Sequence, residues 1–293
     1  MADLETAEKL ERARAVLRSL GRVAVAFSGG VDSTFVLKLA VDTLGAENVV
    51  AVTGKSPSVA AVELEDARAF AKSIGVEHRV IDTRELDDAN YRANPTDRCY
   101  YCKTELYGRT DELVARHGLR AVVSGTNADD LGDYRPGLSA ASEHAVRSPC
   151  SEAGLTKAEI RRLSAEMGLP THDKPAGPCL SSRVPYGESI TPEKLAMIER
   201  AEGFLHELGF RECRVRHHGT LARIEVPADS IASMASSETR ARIDAALREI
   251  GYQYVTLDLR GFRSGSLNEV IAFGRRQAAS VSMSISGLGR ADG

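Results

Sequence analysis

Apolar positions in the first half of the chain fall into two alternating kinds of segment. Short unbroken runs at Arg22–Phe27, Asn48–Gly54, His78–Thr83 and Ala121–Thr126 suit strands buried on both faces. Before and between them lie segments with helical spacing: MADLETAEKLERARAVLRSLG, DSTFVLKLAVDTLG, VAAVELEDARAFAKSIG and a stretch around Lys103–His117. This alternation predicts an α/β domain with a parallel sheet and helices on both of its faces. The next helix is marked at each end, by a Thr156/Glu159 capping box and by Gly168 with Pro170.

The pattern changes beyond Thr171. THDKPAGPCLSSRVPYGE (Thr171–Glu188) is rich in Pro, Gly and Ser, which predicts a loop and a domain junction. A long helix opens at Thr191-Pro192 and runs to Gly209. The strands ECRVRHH and LARIEV follow around a Gly-Thr turn, then a helix over Asp229–Ile250 and the strand YVTLDL. That order predicts a smaller α+β domain. The expected bounds are 1–184, 185–275 and an aperiodic, mobile tail at 276–293.

Composition narrows the class. The 293 residues, 43% hydrophobic and 27% charged, suit two globular domains. No apolar run approaches the roughly 20 residues needed to cross a bilayer, and the leading helix has no secretory apolar segment. A cytoplasmic protein with no membrane partner is expected. A net charge of -3 disfavours nucleic acid, although a basic patch can hide in a balanced total. Five cysteines argue against a disulfide framework and for metal or catalytic roles.

SGGVDS (Ser28–Ser33) sits between a strand and a helix. Gly29 and Gly30 allow close backbone approach, and the amides of the turn would converge on an anion. The plainer reading is a Gly-Gly turn capped by Asp32. The segment resembles the pyrophosphate loop (PP-loop) of the N-type ATP pyrophosphatases, with their adenine nucleotide alpha hydrolase-like fold. That resemblance implies that Ser28, Gly29, Gly30, Asp32 and Ser33 hold the phosphates of ATP, with Asp32 near Mg2+. It also places Thr53, Gly54 and Lys55 at the adenine.

SGTNADDLGDYRPG (Ser124–Gly137) crowds Asp129, Asp130 and Asp133 beside Asn127 at the carboxyl end of the fourth strand. Like charges this close call for a cation or an arginine, so Mg2+ on Asp129 and Asp133 or pairing with Arg135 is expected; a solvated acidic loop is the alternative. Asn127 and Asp130 are candidate nucleotide contacts. RCYYCK spaces Cys99 and Cys102 as Cys-x-x-Cys, and PAGPCLSSR holds Cys179. Three thiols suit an iron–sulfur cluster with one iron free of protein, four-coordinate zinc with a further ligand, or a redox pair.

Together SGGVDS, RCYYCK, SGTNADDLGDYRPG, EAGLTKAEIRRLS and PCLSSRVPYGE resemble the LarE family across nearly the whole chain. That family thiolates pyridinium-3,5-biscarboxylic acid mononucleotide on the way to the nickel-pincer cofactor of lactate racemase. The resemblance implies that Cys179 is the sulfur-bearing cysteine. Single-cysteine members surrender its sulfur and become dehydroalanine. Three-cysteine members bind a 4Fe-4S cluster, here on Cys99, Cys102 and Cys179. Relatives assemble as homo-oligomers. Cys150 and Cys213 are expected to be small core residues.

An anionic nucleotide substrate calls for arginines. Arg214 and Arg216 share one face of a strand, with an exposed polar edge as the alternative; Ser182 and Arg183 could bind the same anion. Arg183 is also a candidate catalytic group, beside Asp32 and Cys179, because its charge could lower the Cys179 pKa. Glu202 and Glu225 are candidates for a second, minor metal site or for plain surface charge. The rival enzyme is a tRNA 2-thiolase of the same superfamily, against which the mild negative charge stands. An ammonia-delivering synthetase would not need the three cysteines, and a nucleotide sensor would leave them idle.

Overall fold

The computed structural model describes residues 2–132, 135–175 and 177–263. By contact density the chain forms two units. The first runs to Leu180 and takes in Ser189–Pro192; the second comprises Ser181–Glu188 and the chain from Glu193 onward. The division therefore falls earlier than the expected 184/185 boundary, and the junction segment is shared. Among the described residues no helix is long and apolar enough to cross a membrane.

The first unit alternates helices and strands in the order α1 (Ala2–Leu20), β1 (Val23–Ala26), α2 (Val31–Leu44), β2 (Val49–Lys55), α3 (Ala61–Ser73), β3 (Glu77–Asp82), α4 (Ala89–Arg92), α5 (Arg98–His117), β4 (Ala121–Val123), α6 (Gly137–Glu143), α7 (Pro149–Glu152) and α8 (Lys157–Glu166). The four strands lie in the order β3-β2-β1-β4, all parallel. Because side chains alternate along a strand, β1 serves two cores. Val23 and Val25 join Leu17 of α1, Phe35 and Leu39 of α2, Phe70 of α3 and Ile160 of α8. Ala24, facing the other way, packs with Val50, Val52 and Leu113 and Val114 of α5. Burying each large apolar side chain of this kind contributes about 1.5–3 kcal/mol.

Two boundaries depart from expectation. α5 opens at Arg98, not near Lys103, so both cysteines of RCYYCK sit on its first turns instead of in a loop. Its start is pinned by the buried Arg98, whose Nη1 donates to Asn94 Oδ1 at 2.7 Å. β4 ends at Val123, three residues early. Beyond it Ser124 Oγ turns to Thr126 Oγ1 (3.0 Å) and Ser148 Oγ (2.8 Å), leaving the strand path.

The second unit holds α9 (Pro192–Glu207), whose first residue belongs to the first unit, then β5 (Arg214–His218), β6 (Leu221–Glu225), α10 (Ile231–Met234), α11 (Ser237–Ile250) and β7 (Tyr254–Leu257). β5 and β6 form an antiparallel hairpin and β7 adds parallel to β6, which is the α+β arrangement expected. The single helix expected over 229–250 is broken. Ser236 accepts from the Thr239 amide at 3.4 Å and starts α11 afresh. Ala201, Leu205, Val215, Ile224, Leu247 and Tyr252 fill this unit's own core. The expected tail (276–293) and the acidic motif's Asp133 and Tyr134 lie outside the described residues.

Candidate active site

The segment Ser28–Ser33 leaves the carboxyl end of β1 and turns into α2. Gly29 has φ +72, a left-handed conformation that glycine adopts without strain. Gly30 is the residue before α2, and no side chain caps the helix there. The proposed Asp32 cap does not form. A 14-residue helix with an uncapped amino terminus offers its first amides and its positive end to an anion. Ser33 Oγ donates to Gly30 O (3.2 Å), accepts from the Ser28 amide (3.2 Å) and lies 3.0 Å from Ser28 Oγ, so the two hydroxyls brace the loop. The loop also has a close neighbour absent from the expected set. A Cβ at Gly125 would lie 2.7 Å from the Ser33 nitrogen and 2.8 Å from the Asp32 carbonyl carbon, so only glycine lets β4's end pass there.

At β2's end the expected adenine contacts divide. Thr53 is buried, donates its hydroxyl to Phe27 O at 2.6 Å and lies 2.8 Å from His78 Nε2. Its side chain ties β2 to β1 and is not presented to a ligand. Gly54 is partly exposed and Lys55 exposed at the strand's tip.

The acidic segment is ordered largely by cations of the protein itself. Lys157, at the first turn of α8, pairs through Nζ with Asp32 and through its amide with Asp129 Oδ2 at 2.8 Å. Asp130 is buried, bound to Arg135 at 2.8 Å and accepting from the Asn127 amide at 3.0 Å. Asn127 Oδ1 accepts from the Asp129 amide (3.0 Å) while its Nδ2 reaches Asp32 Oδ1 at 3.5 Å. Asn127 and Asp130 therefore shape the loop around Asp32; neither stands open to nucleotide. Asp32 and Asp129 do converge, about one lysine. Lys157 was not among the expected site residues, although its place behind the Thr156 cap was the available signal. The capping box itself forms: Thr156 and Glu159 exchange both bonds.

Cys99 and Cys102 lie three residues apart on α5, and helical geometry puts them on one face. Desolvation pushes the Cys99 thiol above its ordinary range, and a charged Cys179 would push it further. The Cys102 thiol is also pushed up, by burial first and then by Glu85 and Cys179. All three cysteines belong to the first unit, and the pKa of Lys103 is raised by Tyr107 first and then, against burial, by Cys102, Cys99 and Cys179. Soft donors that oppose one another's ionisation suit a cationic centre that takes all three as thiolates. Among the described residues no group of three or more His, Cys, Asp and Glu side chains is gathered closely enough to hold a metal ion. Cys150 is fully buried and Cys213 nearly so, as small core residues.

The second unit contains the arginines. Arg214 and Arg216 are 5% and 3% exposed, which removes the exposed-edge reading. Arg216 Nη2 meets Glu225 Oε2 at 2.9 Å and its Nη1 donates to Ser182 O at 2.8 Å. Arg183 grips both oxygens of Glu202 at 2.9 Å and donates to Ser182 Oγ at 3.0 Å. Arg214 lies over the Phe262 ring at 4.4 Å. Its pKa is lowered to about 10, by burial first and then by Arg183 and Arg216. An anion in this cluster would relieve that repulsion. Two expectations are corrected. Arg183 is committed to a carboxylate and has no spare fork with which to activate a thiol. Glu202 and Glu225 are not an open metal site, since Glu202 serves Arg183 and the Val215 amide, and the fully buried Glu225 serves Arg216 and Arg223.

Residues 12–110 match the NAD synthase family, which is the stretch carrying the phosphate loop and RCYYCK. The chain is 48% identical over 90% of its length to an uncharacterised Synechocystis protein, covering 98% of that protein. It is 41% identical to the pyridinium-3,5-bisthiocarboxylic acid mononucleotide synthase of Lactiplantibacillus plantarum, over 88% of this chain and 92% of that one. A tRNA-specific 2-thiouridylase of Caulobacter is 29% identical over 53% of this chain and 47% of its own. With two-unit similarity of this extent to the Lactiplantibacillus enzyme, the chain belongs to the LarE family of sulfur transferases, enzymes of the ATP-using PP-loop class.

Proposed function

We propose that this protein adenylates a carboxylate of pyridinium-3,5-biscarboxylic acid mononucleotide and converts it to a thiocarboxylate, a step toward the nickel-pincer cofactor of lactate racemase. One observation carries the reading: an uncapped phosphate loop and the residues Cys99, Cys102 and Cys179 occupy the same unit of a LarE-family chain. The substrate carboxylate attacks the α-phosphorus of ATP, and the bond to the bridging oxygen breaks as pyrophosphate leaves. The amides of Gly29, Gly30 and α2's first turn receive that pyrophosphate, and charge there is what they stabilise best. Asp32 and Asp129, which meet at Lys157, would hold Mg2+, and the metal would offset the charge of the phosphates beside that lysine. Asp133 belongs to the same proposal and lies outside the described residues. Gly54 and Lys55 border the adenine.

Cys99, Cys102 and Cys179 would hold a 4Fe-4S cluster, and such a cluster supplies sulfur at an iron without a protein ligand. A sulfur nucleophile attacking the carbonyl carbon of the acyl-adenylate expels AMP with the bonding electron pair. Arg214 receives the substrate phosphate, with Arg183 and Arg216 held beside it by Glu202, Glu225 and Ser182 as further positive charge, and the depressed Arg214 pKa supports an anion there. By family likeness the working form is a homo-oligomer.

The test is anaerobic purification with iron and sulfide counts, followed by ATP, Mg2+ and the pyridinium nucleotide. AMP, pyrophosphate and thiolated product over several turnovers support the proposal. A single turnover leaving dehydroalanine at position 179 would move the sulfur source from the cluster to Cys179. Sulfur incorporated into tRNA, with none in the pyridinium nucleotide, would instead favour the 2-thiolase reading.

A further inference from the structure

The segment carrying Cys179 is tied to the first unit at three points. Arg161 of α8 donates to the carbonyls of His172 (2.7 Å) and Lys174 (2.9 Å). Lys174 Nζ lies 2.7 Å from Glu63 Oε2 and 3.2 Å from Asp66 Oδ2, both on α3. The Leu180 amide donates to Ser58 O at 2.9 Å, just ahead of α3. A Cβ at Gly177 would lie 3.4 Å from Glu63 Oε1, so the chain runs directly against the same carboxylate.

α3 also touches the phosphate loop. A Cβ at Gly29 would meet Ala67 Cβ at 3.5 Å and the Glu63 carbonyl at 3.6 Å. Glu63 therefore meets the phosphate loop through its backbone and the sulfur segment through its carboxylate. The Lys174 side chain is 21% exposed, which distinguishes this clasp from the chain's many solvated ion pairs. Burial opposes the lysine's charge, but its bonds to Glu63 and Asp66 outweigh that and keep it protonated.

We propose that Lys174 is a positioning residue, whose clasp on Glu63 and Asp66 registers Cys179 against the nucleotide loop so that sulfur, not water, meets the acyl-adenylate. The proposal rests on the adenylation reading above. It assigns Lys174 no contact with ATP, so it separates the two half-reactions.

The test compares the intact chain with Lys174→Ala, Lys174→Arg and the exchanged pair Lys174→Glu with Glu63→Lys. Three quantities are read: substrate-dependent ATP–pyrophosphate exchange, thiocarboxylate formed per AMP released, and, on the same full chain after iron is removed by chelation so that no thiol is shielded, the iodoacetamide alkylation rate of Cys179 relative to Cys99. Since a misplacement of ~1 Å can cost about 100-fold, Lys174→Ala should lower thiocarboxylate per AMP by about tenfold or more, with exchange kept within about threefold. Cys179 alkylation should change several-fold while that of Cys99 does not, and Lys174→Arg and the exchanged pair should recover most of both. The yield per AMP does not depend on how much protein is folded, so a merely destabilised variant leaves it unchanged, and an unchanged yield overturns the proposal. Loss of exchange together with thiolation overturns it too, by making Lys174 a nucleotide ligand. Should the unaltered protein show no exchange, the adenylation reading fails by itself; the alkylation ratio still decides whether the clasp holds Cys179.

Discussion

Asp32 lies where three lines of the structure meet: it sits in the first turn of α2, pairs with Lys157 and is reached by Asn127. Replacing it with asparagine keeps the size and removes the charge that Mg2+ requires. ATP–pyrophosphate exchange should fall roughly 100-fold or more; exchange within threefold of the unaltered protein would remove Asp32 from the metal site. Glu225 makes a different residue-scale case, since it is fully buried between Arg216 and Arg223. Glu225→Gln leaves two guanidinium groups short of a charge, and breaking a buried pair of this kind costs about 3–5 kcal/mol. Urea unfolding would measure that loss. A change under about 1 kcal/mol would mean that water or an anion already compensates those arginines.

At the scale of elements, the ends of strands and helices govern the site. The chain leaving β4 must pass the phosphate loop at Gly125, where a methyl group would meet backbone and not a flexible side chain. Gly125→Ala should therefore push the loop apart and weaken ATP binding at least about tenfold, read by isothermal titration, since sub-ångström misfits have no soft atom to yield. Unaltered affinity would show that β4 can retreat. The Thr156 cap makes a second prediction. Thr156→Ala should cost about 1 kcal/mol, a fall in melting temperature of roughly 2–4 °C for a unit this size. ATP binding should weaken with it, because Lys157 follows the cap directly. A melting shift without any change in ATP affinity would separate the cap from the site. The capping box was legible because both of its partners are local. The early start of α5 was not, since it depends on the Arg98–Asn94 bond and on burial of Arg98, which no local pattern announces.

Across the whole molecule, burial keeps three histidines neutral. His78, His217 and His218 all have pKa values lowered from 6.5, by desolvation first and then by Arg68, Lys194 and Arg223 respectively. The unfolded chain binds protons on these groups at a higher pH than the folded one. Stability must therefore fall as pH drops below about 6.5, and it is fully present above that value. The carboxylates with lowered pKa values act at more acid pH; Glu159, for example, is held at about 2 by Thr156, Lys9 and Thr6 against the opposing effect of burial. Urea midpoints at about pH 7.5 and about pH 5.5 isolate the histidines. A midpoint that stays level or rises on acidification would contradict their burial as neutral rings.

What the linear chain determined for itself is whatever depends on neighbours in sequence: the β/α alternation, the glycine turn after β1, the Thr156 capping box, the Cys-x-x-Cys spacing and the family likeness those motifs carry. Tertiary structure decided the pairing of charges. Lys157 reaches Asp32 across 125 positions, Arg183 takes Glu202, and Glu225 lies between two arginines, so residues that suggested metal ligands or an activating cation became ion-pair partners. The physical reason is that an ionisable side chain has several chemically acceptable partners, and which one it takes depends on what folding brings within about 3 Å as water is excluded.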